Sequence, residues 1–349
     1  MKEIPAPRTG FEPISQMIRG YQLTQVLSTA MRHGIFSILD KPKSASILAE
    51  EISTDPTITE KLLEVLVSLE LISKVDGEYL NSDMVRSFFV EDSIFYQGDM
   101  IYFMVDSYPL WSKLDLALKN GHLDNLGKGK REDTFDKRFI MASAEASIRG
   151  TLQDTVEVIA GLPEFKDAKW LLDLGGGHGL YSIAFAQRNP SLQAVVFDLP
   201  PVVEISREFI KDYGMEARVS VIAGDYLKDD LGSEYDLIFT SHSLFYQPRE
   251  ILEGSMNKVY NALKDNGVLV INHWIRQKNK NSVVSSLWDL RLTLLGSPHY
   301  LYSKEEYLDL LRKCGFVEKD IIHLPTLSNP TVIIVARKEN RRELPPPLS

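Results

Sequence analysis

The stretch LLDLGGGHGL, Leu171 to Leu180, decides how the rest of the chain is interpreted. An apolar run contains an acid near its end, Asp173, and glycines follow at positions 175, 177 and 179. Glycines there let the backbone turn sharply and approach a ligand with no Cβ in the way. A helix that carries Tyr181, Ile183, Ala184 and Phe185 is predicted to follow. The pattern therefore predicts a loop between a strand and a helix.

Short β-type runs alternate with helical stretches from Trp170 onward. The six runs are WLLDLG, AVVFDLP, RVSVIAG, YDLIFTS, GVLVINHWI and TVIIVARK. Runs that are apolar on both faces and separated by helices are typical of an α/β fold with a doubly wound, mostly parallel, Rossmann-like sheet. Ligands of such sheets bind at the carboxyl ends of the strands, which is where the glycine loop lies.

Residues 1–95 have helical patterns followed by one hairpin. Helices are predicted in YQLTQVLSTAMRHG, SASILAEEI and TITEKLLEVLVSLELI, the last with capping-box spacing at Thr57 and Glu60. KVDGEYLNS predicts a short hairpin that turns at Asp76-Gly77. Three helices and a hairpin in this order predict a mainly helical, winged-helix unit that precedes the sheet.

This unit is expected to mediate dimerisation rather than to bind DNA. Its third helix carries Glu60, Glu64 and Glu70 against a single Lys61, and these carboxylates would repel phosphates. A homodimer is predicted instead, because apolar residues of the first helix are expected to need a partner surface. These residues are Leu23, Val26 and Leu27.

Length and composition limit the classes of protein. A chain of 349 residues predicts two domains: a dimerisation domain over 1–95 and a ligand-binding domain over 96–340, with a helical pocket segment at 96–160 and a frayed tail at 341–349. The net charge of -9 argues against nucleic-acid binding. The single cysteine excludes a disulfide framework and a cysteine-based zinc site, and no metal is expected. No segment reaches the length of a membrane span, so a cytoplasmic protein is predicted.

Acids stand at the ends of three successive predicted strands. Asp173 would oppose a pyrophosphate and would suit a cationic ligand, and the G-x-G-x-G spacing departs from the dinucleotide pattern G-x-G-x-x-G. Asp198 ends the second strand, where an acid can accept hydrogen bonds from both ribose hydroxyls. Asp225 follows the third strand and can accept from an adenine amino group, with Tyr226 beside it to stack on the ring. Each acid alone could also be a helix N-cap or a turn residue.

These segments resemble the class I S-adenosylmethionine-dependent methyltransferases. LLDLGGGHG, VVFDLPPVV, AGDYL, YDLIFTSHSLF and NALKDNGVLVI are similar to the small-molecule O-methyltransferase branch, which includes plant phenolic, hydroxyindole and bacterial antibiotic-pathway enzymes with an N-terminal winged-helix dimerisation domain. The resemblance implies S-adenosylmethionine as the cofactor, with its amino-acid end in the glycine loop. His178 in that loop would line the cofactor rather than act as a base. The resemblance implies these cofactor contacts: Asp173, Gly175, Gly177, Asp198, Leu199, Asp225, Tyr226, Ser241 and His242.

The acid-base set of the family is replaced in this chain. The family histidine follows the fourth strand, and that position reads Phe245, with Tyr246 in place of the next acid. The two flanking carboxylates of the family fall at His273 and near Leu301. His273 is the candidate catalytic base, and a histidine buried at a strand end and satisfied by a backbone carbonyl is the alternative interpretation.

The methyl acceptor is expected to be hydrophobic. Residues 94–122 are rich in aromatic side chains, some of which should line an apolar pocket. Arg291 and Tyr300 are further candidates near the acceptor, and the polar loop DNLGKGKRED is expected to be mobile. The predicted substrate-binding residues are Tyr108, Phe245, Tyr246, Trp288 and His299.

Three hypotheses for the function remain. The first is a methyltransferase that acts on a hydrophobic, aromatic or conjugated small molecule. The second is a protein that binds S-adenosylmethionine without transferring its methyl group, as a sensor or a repurposed enzyme. The third, an NAD-dependent oxidoreductase, fits the glycine spacing and Asp173 poorly.

Overall fold

A computed structural model describes residues 8–121, 123, 135–244, 247–278, 281–296, 301–324 and 331–339. The loop DNLGKGKRED and the tail at 341–349, both subjects of predictions, lie outside these residues. The chain divides into two compact units, Met1–Tyr108 and Pro109–Ser349. The division lies beyond residue 95, because Ile101 and Tyr102 pack against the core of the first unit.

The first unit is mainly helical, as the patterns predicted, and contains one small sheet. Its strands form an antiparallel sheet in the order β1-β3-β2, and the predicted hairpin turns at Asp76 and Gly77, which have φ values of 51° and 85°. The elements are α1 (Glu12–Arg32), α2 (Ile35–Ile38), β1 (Lys43–Ser44), α3 (Ala45–Glu51), α4 (Pro56–Ser68), β2 (Ile72–Val75), β3 (Glu78–Asn81), α5 (Asp83–Phe88) and α6 (Gly98–Asp106).

The start of α4 differs from the prediction. The N-cap is Asp55, whose carboxylate accepts a hydrogen bond from the amide of Ile58 at 2.8 Å, and not Thr57. Pro56 occupies the first helical position, where its fixed φ favours the helix and its missing N–H costs nothing. The proline therefore moves the cap two residues earlier than the expected capping box.

The α1 helix has two apolar faces: of the residues predicted to need a partner surface, Leu23 is 40% exposed, whereas Val26 and Leu27 are partly buried. Val26 and Leu27 pack against the unit's own core with Ala30 and Met31. The opposite face carries a row of exposed apolar side chains at helical spacing. This apolar stripe consists of Ile14, Met17, Ile18 and Tyr21, which are 50%, 77%, 59% and 65% exposed.

The second unit is built around a seven-stranded sheet. All six predicted runs form strands, and a seventh strand, β9, was missed because FVEKDIIH interrupts its apolar residues with charged ones. With α7 at the division between the units, the elements are α7 (Tyr108–Trp111), α8 (Leu114–Asn120), α9 (Lys137–Ile148), α10 (Thr151–Ala160), α11 (Pro163–Asp167), β4 (Trp170–Leu174), α12 (Leu180–Arg188), β5 (Gln193–Asp198), α13 (Pro200–Asp212), β6 (Val219–Ala223), β7 (Tyr235–Ser241), α14 (Arg249–Ala262), β8 (Leu263–His273), α15 (Val283–Leu294), α16 (Lys304–Lys313), β9 (Phe316–His323) and β10 (Val332–Lys338).

The strand order is β6-β5-β4-β7-β8-β10-β9. Neighbours from β6 to β8 are parallel, and β10 is antiparallel to both β8 and β9. This is the predicted doubly wound, mostly parallel sheet. Alternate residues enter different cores: Leu171 packs beneath α10, α12 and α13, and Leu172 packs with α14 and α16 on the other face. Because β6, β5 and β4 are neighbours, the residues at their carboxyl ends lie along one edge.

Candidate functional site

The glycine loop is held tightly on one side and is open on the other. The amide of Gly175 donates to the carbonyl of Phe197 at 2.8 Å, and its φ is +69°. A Cβ on Gly175 would lie 2.7 Å from Cβ of Ser243, so no larger residue fits there. Gly177 has a φ of +55°, and a Cβ built on it would have no other atom within 4 Å. The loop therefore offers bare backbone on its open side, as a cofactor cradle requires.

Asp173 is a buried acid directly behind this loop. Its Oδ2 accepts a hydrogen bond from the hydroxyl of Ser182 at 2.8 Å, and its Oδ1 is buried with no hydrogen-bond partner among the residues described. Burial raises the pKa of Asp173 to about 7, the hydrogen bond from Ser182 opposes this, and the charge of Asp198 adds to it. A nearby cation would favour the ionised form, which fits the prediction that this acid suits a cationic ligand.

Asp198 joins the glycine loop to the next strand end. Its Oδ2 accepts from the amide of Gly177 at 2.8 Å, and its Oδ1 accepts from the amide of Leu199 at 2.7 Å. Leu199 is buried and packs with Ile140 and Val202, which fixes the start of α13. The structure thus brings together Gly177, Asp198 and Leu199, three of the predicted cofactor contacts.

Asp225 lies two residues beyond the end of β6, in a hydrogen-bonded turn. Its Oδ1 accepts from the amide of Leu227 at 3.1 Å, and its Oδ2 lies 3.2 Å from Nζ of Lys228. Tyr226 differs from the expectation that it stacks on a ring beside Asp225. Its side chain is buried in the core, and its hydroxyl donates to the carbonyl of Ser243 at 3.0 Å. Tyr226 therefore helps to hold Ser243 in place, and Ser243 packs directly against Gly175 of the glycine loop.

The ends of β7 and β8 bring two histidines into contact. Nδ1 of His242 lies 3.3 Å from Nδ1 of His273, the candidate base. His242 has a φ of +53°, and its amide donates to the carbonyl of Asn272 at 3.1 Å. Ser241, before it, accepts a hydrogen bond from the side-chain amide of Asn272 at 3.1 Å. His273 is buried at the end of β8, as its alternative structural interpretation expects, and its role as a base stays a prediction.

Aromatic rings surround this pair of histidines. The ring of His242 lies 4.6 Å from that of Trp274, and His273 packs edge-on against Tyr307 at 6.1 Å. Burial lowers the pKa of His242 to about 4 and raises the pKa of Tyr307. These side chains are therefore neutral near pH 7. Sequence reasoning missed the contact between the two histidines, which depends on the pairing of β7 with β8.

His178 in the glycine loop is buried among other side chains of the protein. Its Nδ1 accepts from the amide of Leu180 at 3.1 Å, and its Nε2 lies 3.4 Å from the hydroxyl of Ser147 in α9. The ring stacks on Tyr181 and packs edge-on against Phe209. Burial lowers the pKa of His178 to about 4. These contacts surround His178 with protein side chains, and its expected role in lining the cofactor stays a prediction.

The predicted acceptor residues are only partly described. Tyr108 belongs to the first unit and is 64% exposed, and Phe245, Tyr246, His299 and Tyr300 lie outside the residues described. Trp288 in α15 stacks on Phe139 of α9 at 6.0 Å, and the guanidinium of Arg291 lies 5.3 Å from the Trp288 ring. Phe139, which the sequence analysis did not single out, thus joins Trp288 and Arg291.

The seven-stranded sheet and its glycine loop define the class I methyltransferase fold. Residues 123–317 match the O-methyltransferase domain family, and residues 15–91 match the O-methyltransferase dimerisation domain. The chain belongs to the O-methyltransferase family. This confirms the resemblance to S-adenosylmethionine-dependent small-molecule O-methyltransferases and, at the level of the family, the predicted cofactor.

Similarity extends over most of the chain. An uncharacterised protein of Methanocaldococcus jannaschii is 35% identical over 73% of this chain and 68% of its own length. The N,N-dimethyltransferase OxyT of Streptomyces rimosus is 24% identical over 95% of this chain and 98% of its own. The solved structure of human N-acetylserotonin methyltransferase in complex with S-adenosylmethionine superposes with a TM-score of 0.80 at 21% identity, over 97% of this chain and all of that one.

Two searches of the described residues gave negative results. None of the helices within that part of the chain has the length and apolar character needed to cross a bilayer. No group of three or more His, Cys, Asp and Glu side chains within it is arranged to hold a metal ion.

Proposed function

We propose that this protein transfers the methyl group of S-adenosylmethionine to a hydrophobic, aromatic or conjugated small molecule. The observation that carries the proposal is the edge formed by β6, β5 and β4. There the buried acid Asp173, the open glycine loop and two further acids follow one another in strand order. A cationic sulfonium cofactor with a ribose and an adenine matches this arrangement better than a pyrophosphate does.

The residues at three strand ends would each hold a different part of the cofactor. The loop at Gly175 and Gly177 and the charge of Asp173 would hold the amino-acid end. Asp198 and Leu199 would hold the ribose, and Asp225 the adenine, with Ser241 and His242 along the other side. Tyr226 contributes by supporting Ser243 and the loop. When bound, S-adenosylmethionine supplies a methyl group that an acceptor lone pair displaces from sulfur, the S–C electron pair remaining on the sulfur.

Proton removal is the part for which the sequence lacks the family's usual residue, because Phe245 stands at that position. A phenol of pKa about 10 is ionised only about one part in a thousand at pH 7, a cost of roughly 4 kcal/mol. His273 is the candidate that can offset part of this cost, since it lies at the end of β8 beside His242. An acidic enol, a thiol or an electron-rich ring carbon would need less help.

The acceptor class follows from the aromatic side chains and the position of α9. Ile140 in this helix packs on Leu199, and Phe139 stacks on Trp288. The helix therefore connects the predicted cofactor site with the stacked rings of Phe139 and Trp288, which favour a planar acceptor. The relative OxyT is named for methylation of nitrogen and the family for methylation of oxygen, so neither name fixes the acceptor atom.

The experiment is transfer of labelled methyl groups to a panel of phenols, enols, thiols and amines, with cofactor binding measured by calorimetry. If His273 is the base, His273→Ala should lower turnover about 10²- to 10⁴-fold at unchanged cofactor affinity. His323→Ala, at the exposed end of β9, is the matched control and should be active. Failure of the protein to bind S-adenosylmethionine would contradict the proposal, and a fully active His273→Ala variant would remove the base role alone.

A second candidate is a protein that binds S-adenosylmethionine without transferring its methyl group. The replacement of the family histidine and its following acid by Phe245 and Tyr246 favours it. Tight cofactor binding with no transfer to any acceptor of the panel would support this candidate.

The assembly proposed is a homodimer formed through residues 1–95. The match of residues 15–91 to the O-methyltransferase dimerisation domain and the exposed apolar stripe of α1 support it. The cofactor and acceptor domain, predicted over 96–340 with its pocket segment at 96–160, is proposed to begin with the second compact unit at Pro109, because Ile101 and Tyr102 pack in the first unit.

A further inference from the structure

His178 makes one hydrogen bond within the glycine loop and one to helix α9. Its Nδ1 accepts from the amide of Leu180 at 3.1 Å. A backbone amide is always the donor, so Nδ1 carries no proton and the single proton of the imidazole is on Nε2. Nε2 lies 3.4 Å from the hydroxyl of Ser147 in α9. The imidazole therefore accepts from the loop and donates to the helix.

The surroundings of His178 keep its ring neutral and in one orientation. The ring is 4% exposed and packs against Tyr181 and Phe209. Burial lowers the pKa of His178 to about 4, so the ring carries no charge near pH 7. The hydroxyl of Ser147 donates in turn to the carbonyl of Ser143 at 2.8 Å. Its oxygen is therefore oriented to accept from the imidazole.

The loop side of this contact belongs to the predicted cofactor cradle. Gly177, directly before His178, is held through its amide by Asp198 and through its carbonyl by the hydroxyl of Ser206. Leu180, which donates to the imidazole, is the first residue of α12. The imidazole thus lies within the bend that carries the chain from the cradle into the helix, and its position follows that of the loop.

The helix side belongs to the element that carries an acceptor residue of the proposed function. Ser147 lies in the last turn of α9, and Ile140 of the same helix packs on Leu199. Phe139, beside Ile140, stacks on Trp288 at 6.0 Å. Phe139 and Ser147 are separated by about 12 Å along one helix. A contact at Ser147 therefore fixes how far the stacked rings lie from the glycine loop.

We propose that His178 is a positioning residue that couples the glycine loop to α9 and so sets the distance between the methyl donor and the acceptor. The inference rests on the proposed function, in which the loop holds the cofactor and Phe139 and Trp288 face the acceptor. Displacement at a methyl carbon requires the acceptor lone pair to approach in line with the S–C bond, so a small shift of the acceptor lowers the rate. His178 acts through the two elements that it joins and not on the reacting atoms.

Two substitutions of His178 separate its two contacts. His178→Asn keeps an acceptor for the amide of Leu180, because an asparagine side chain readily bonds the backbone two residues on, but it is too short to reach Ser147. His178→Ala loses both contacts. Ser147→Ala removes the second contact from the helix side. Ser143→Ala, one turn earlier on α9, is the matched control, because Ser143 takes part through its carbonyl, which alanine retains.

The first test needs neither cofactor nor acceptor. Nuclear magnetic resonance of the full chain with ¹⁵N-labelled histidine reports which ring nitrogen carries the proton, and His178→Asn assigns the signals. We expect His178 protonated on Nε2 and bare on Nδ1 at pH 7, and its Nε2–H signal should shift in Ser147→Ala. A proton on Nδ1, an imidazolium at pH 7, or an Nε2–H signal that Ser147→Ala leaves unchanged would overturn the coupling.

The second test is methyl transfer at saturating cofactor and acceptor, with cofactor binding measured by calorimetry. His178→Asn and Ser147→Ala should each lower kcat about threefold to tenfold, as the loss of one hydrogen bond predicts, and leave the cofactor Kd within about twofold. The double variant should lose no more than either single variant, because both remove the same contact. His178→Ala should weaken cofactor binding as well, and Ser143→Ala should be fully active.

The outcomes separate a positioning residue from a structural one. Wild-type kcat in both single variants, even with lowered Tm, would overturn the proposal, and so would additive losses in the double variant or an equal loss in Ser143→Ala. A wild-type chain that binds the cofactor but transfers no methyl group contradicts the proposed function. The wrong tautomer at His178 contradicts the coupling alone.

Discussion

At pH 8 Asp173 is expected to be ionised in the folded protein, and this buried charge lowers the free energy of unfolding. Burial raises the pKa of this carboxyl group from 3.8 to about 7. At pH values well above 7, that difference in pKa lowers the free energy of unfolding by about 4 kcal/mol. Because the folded pKa is raised, the favourable contribution of the protonated group is complete below about pH 4 and is lost as the pH rises through 7. The substitution Asp173→Asn removes this cost, because an amide cannot ionise.

The variant should be more stable than the wild type at pH 8 and less stable at pH 4. Its amide oxygen keeps the hydrogen bond from Ser182. Its amide nitrogen takes the place of the buried Oδ1, for which the described residues offer no partner, and leaving that group unsatisfied costs about 1–3 kcal/mol. The net gain at pH 8 is therefore about 1–3 kcal/mol. In a unit of this size that gain raises Tm by roughly 2–10 °C.

Calorimetric unfolding of the full chain without cofactor at pH 5, 6.5 and 8 measures the effect. Asp236→Asn is the control with the opposite sign. Burial alone would raise the pKa of Asp236, but the hydrogen bonds from Lys264 and from the amides of Lys169 and Trp170 lower it overall. Removing its charge should therefore lower Tm at pH 8.

Cofactor binding provides the second measurement on Asp173→Asn. The charge that destabilises the folded chain is also the one that complements a cationic ligand, so affinity for S-adenosylmethionine should fall about tenfold or more, a loss of about 1.4 kcal/mol. A Tm difference between variant and wild type that is equal at pH 5 and pH 8 would refute the reasoning. Asp173 would then not titrate between these values, and its burial would not govern its charge.

Two further predictions concern the ribose contact and the dimer. Asp198→Ala should weaken cofactor binding by about 1–3 kcal/mol, roughly 5- to 150-fold by calorimetry, because two hydroxyls lose their acceptor, and unchanged affinity would reject the assignment. If the proposed homodimer forms through this stripe, Ile18→Glu should give a monomer in light scattering, because a carboxylate would be buried in the apolar interface. Gln22→Glu, on an exposed position beside the stripe, should remain dimeric, and a dimeric Ile18→Glu variant would place the interface elsewhere.

The sheet could be predicted because its interior strands are buried on both faces. Continuous apolar runs such as Val195 to Phe197 have no other common interpretation when helices separate them. β9 escaped prediction because it is the edge strand, where Asp320 is exposed and the backbone pairs along only one side. Edge strands keep charged residues that interior strands exclude, so apolar periodicity alone does not find them.

The acids of the site could be predicted for a topological reason. Parallel strands end at one edge, so Asp173, Asp198 and Asp225 had to lie along it once the strand order was right. The contact between His242 and His273 could not be derived in this way. It depends on the register that sets Ser241 opposite Asn272, and on the positive φ that turns His242 toward β8.

Periodicity also could not decide which face of α1 packs inside. Both Val26 with Leu27 and Ile14 with Ile18 have helical spacing. Only the packing of α1 on α2, α4 and α6 shows that the first pair lies partly buried against the unit's own core. Similarly, the tyrosine beside Asp225 could either stack on a ligand or fill the core. Its hydroxyl donates to the carbonyl of Ser243, and the sequence alone does not predict this contact.

The position of β10 between β8 and β9 has a consequence for biosynthesis. A ribosome makes β9 before β10, yet β10 is the strand that pairs with β9 in the described part of the chain. The nascent chain therefore carries two unpaired strand edges, one on β8 and one on β9, until the last strand enters the gap between them. Open edges of this kind favour association between chains. Translation pauses, fusions or truncations that delay or remove Val332–Lys338 should therefore cause aggregation of newly made protein rather than a partly active enzyme.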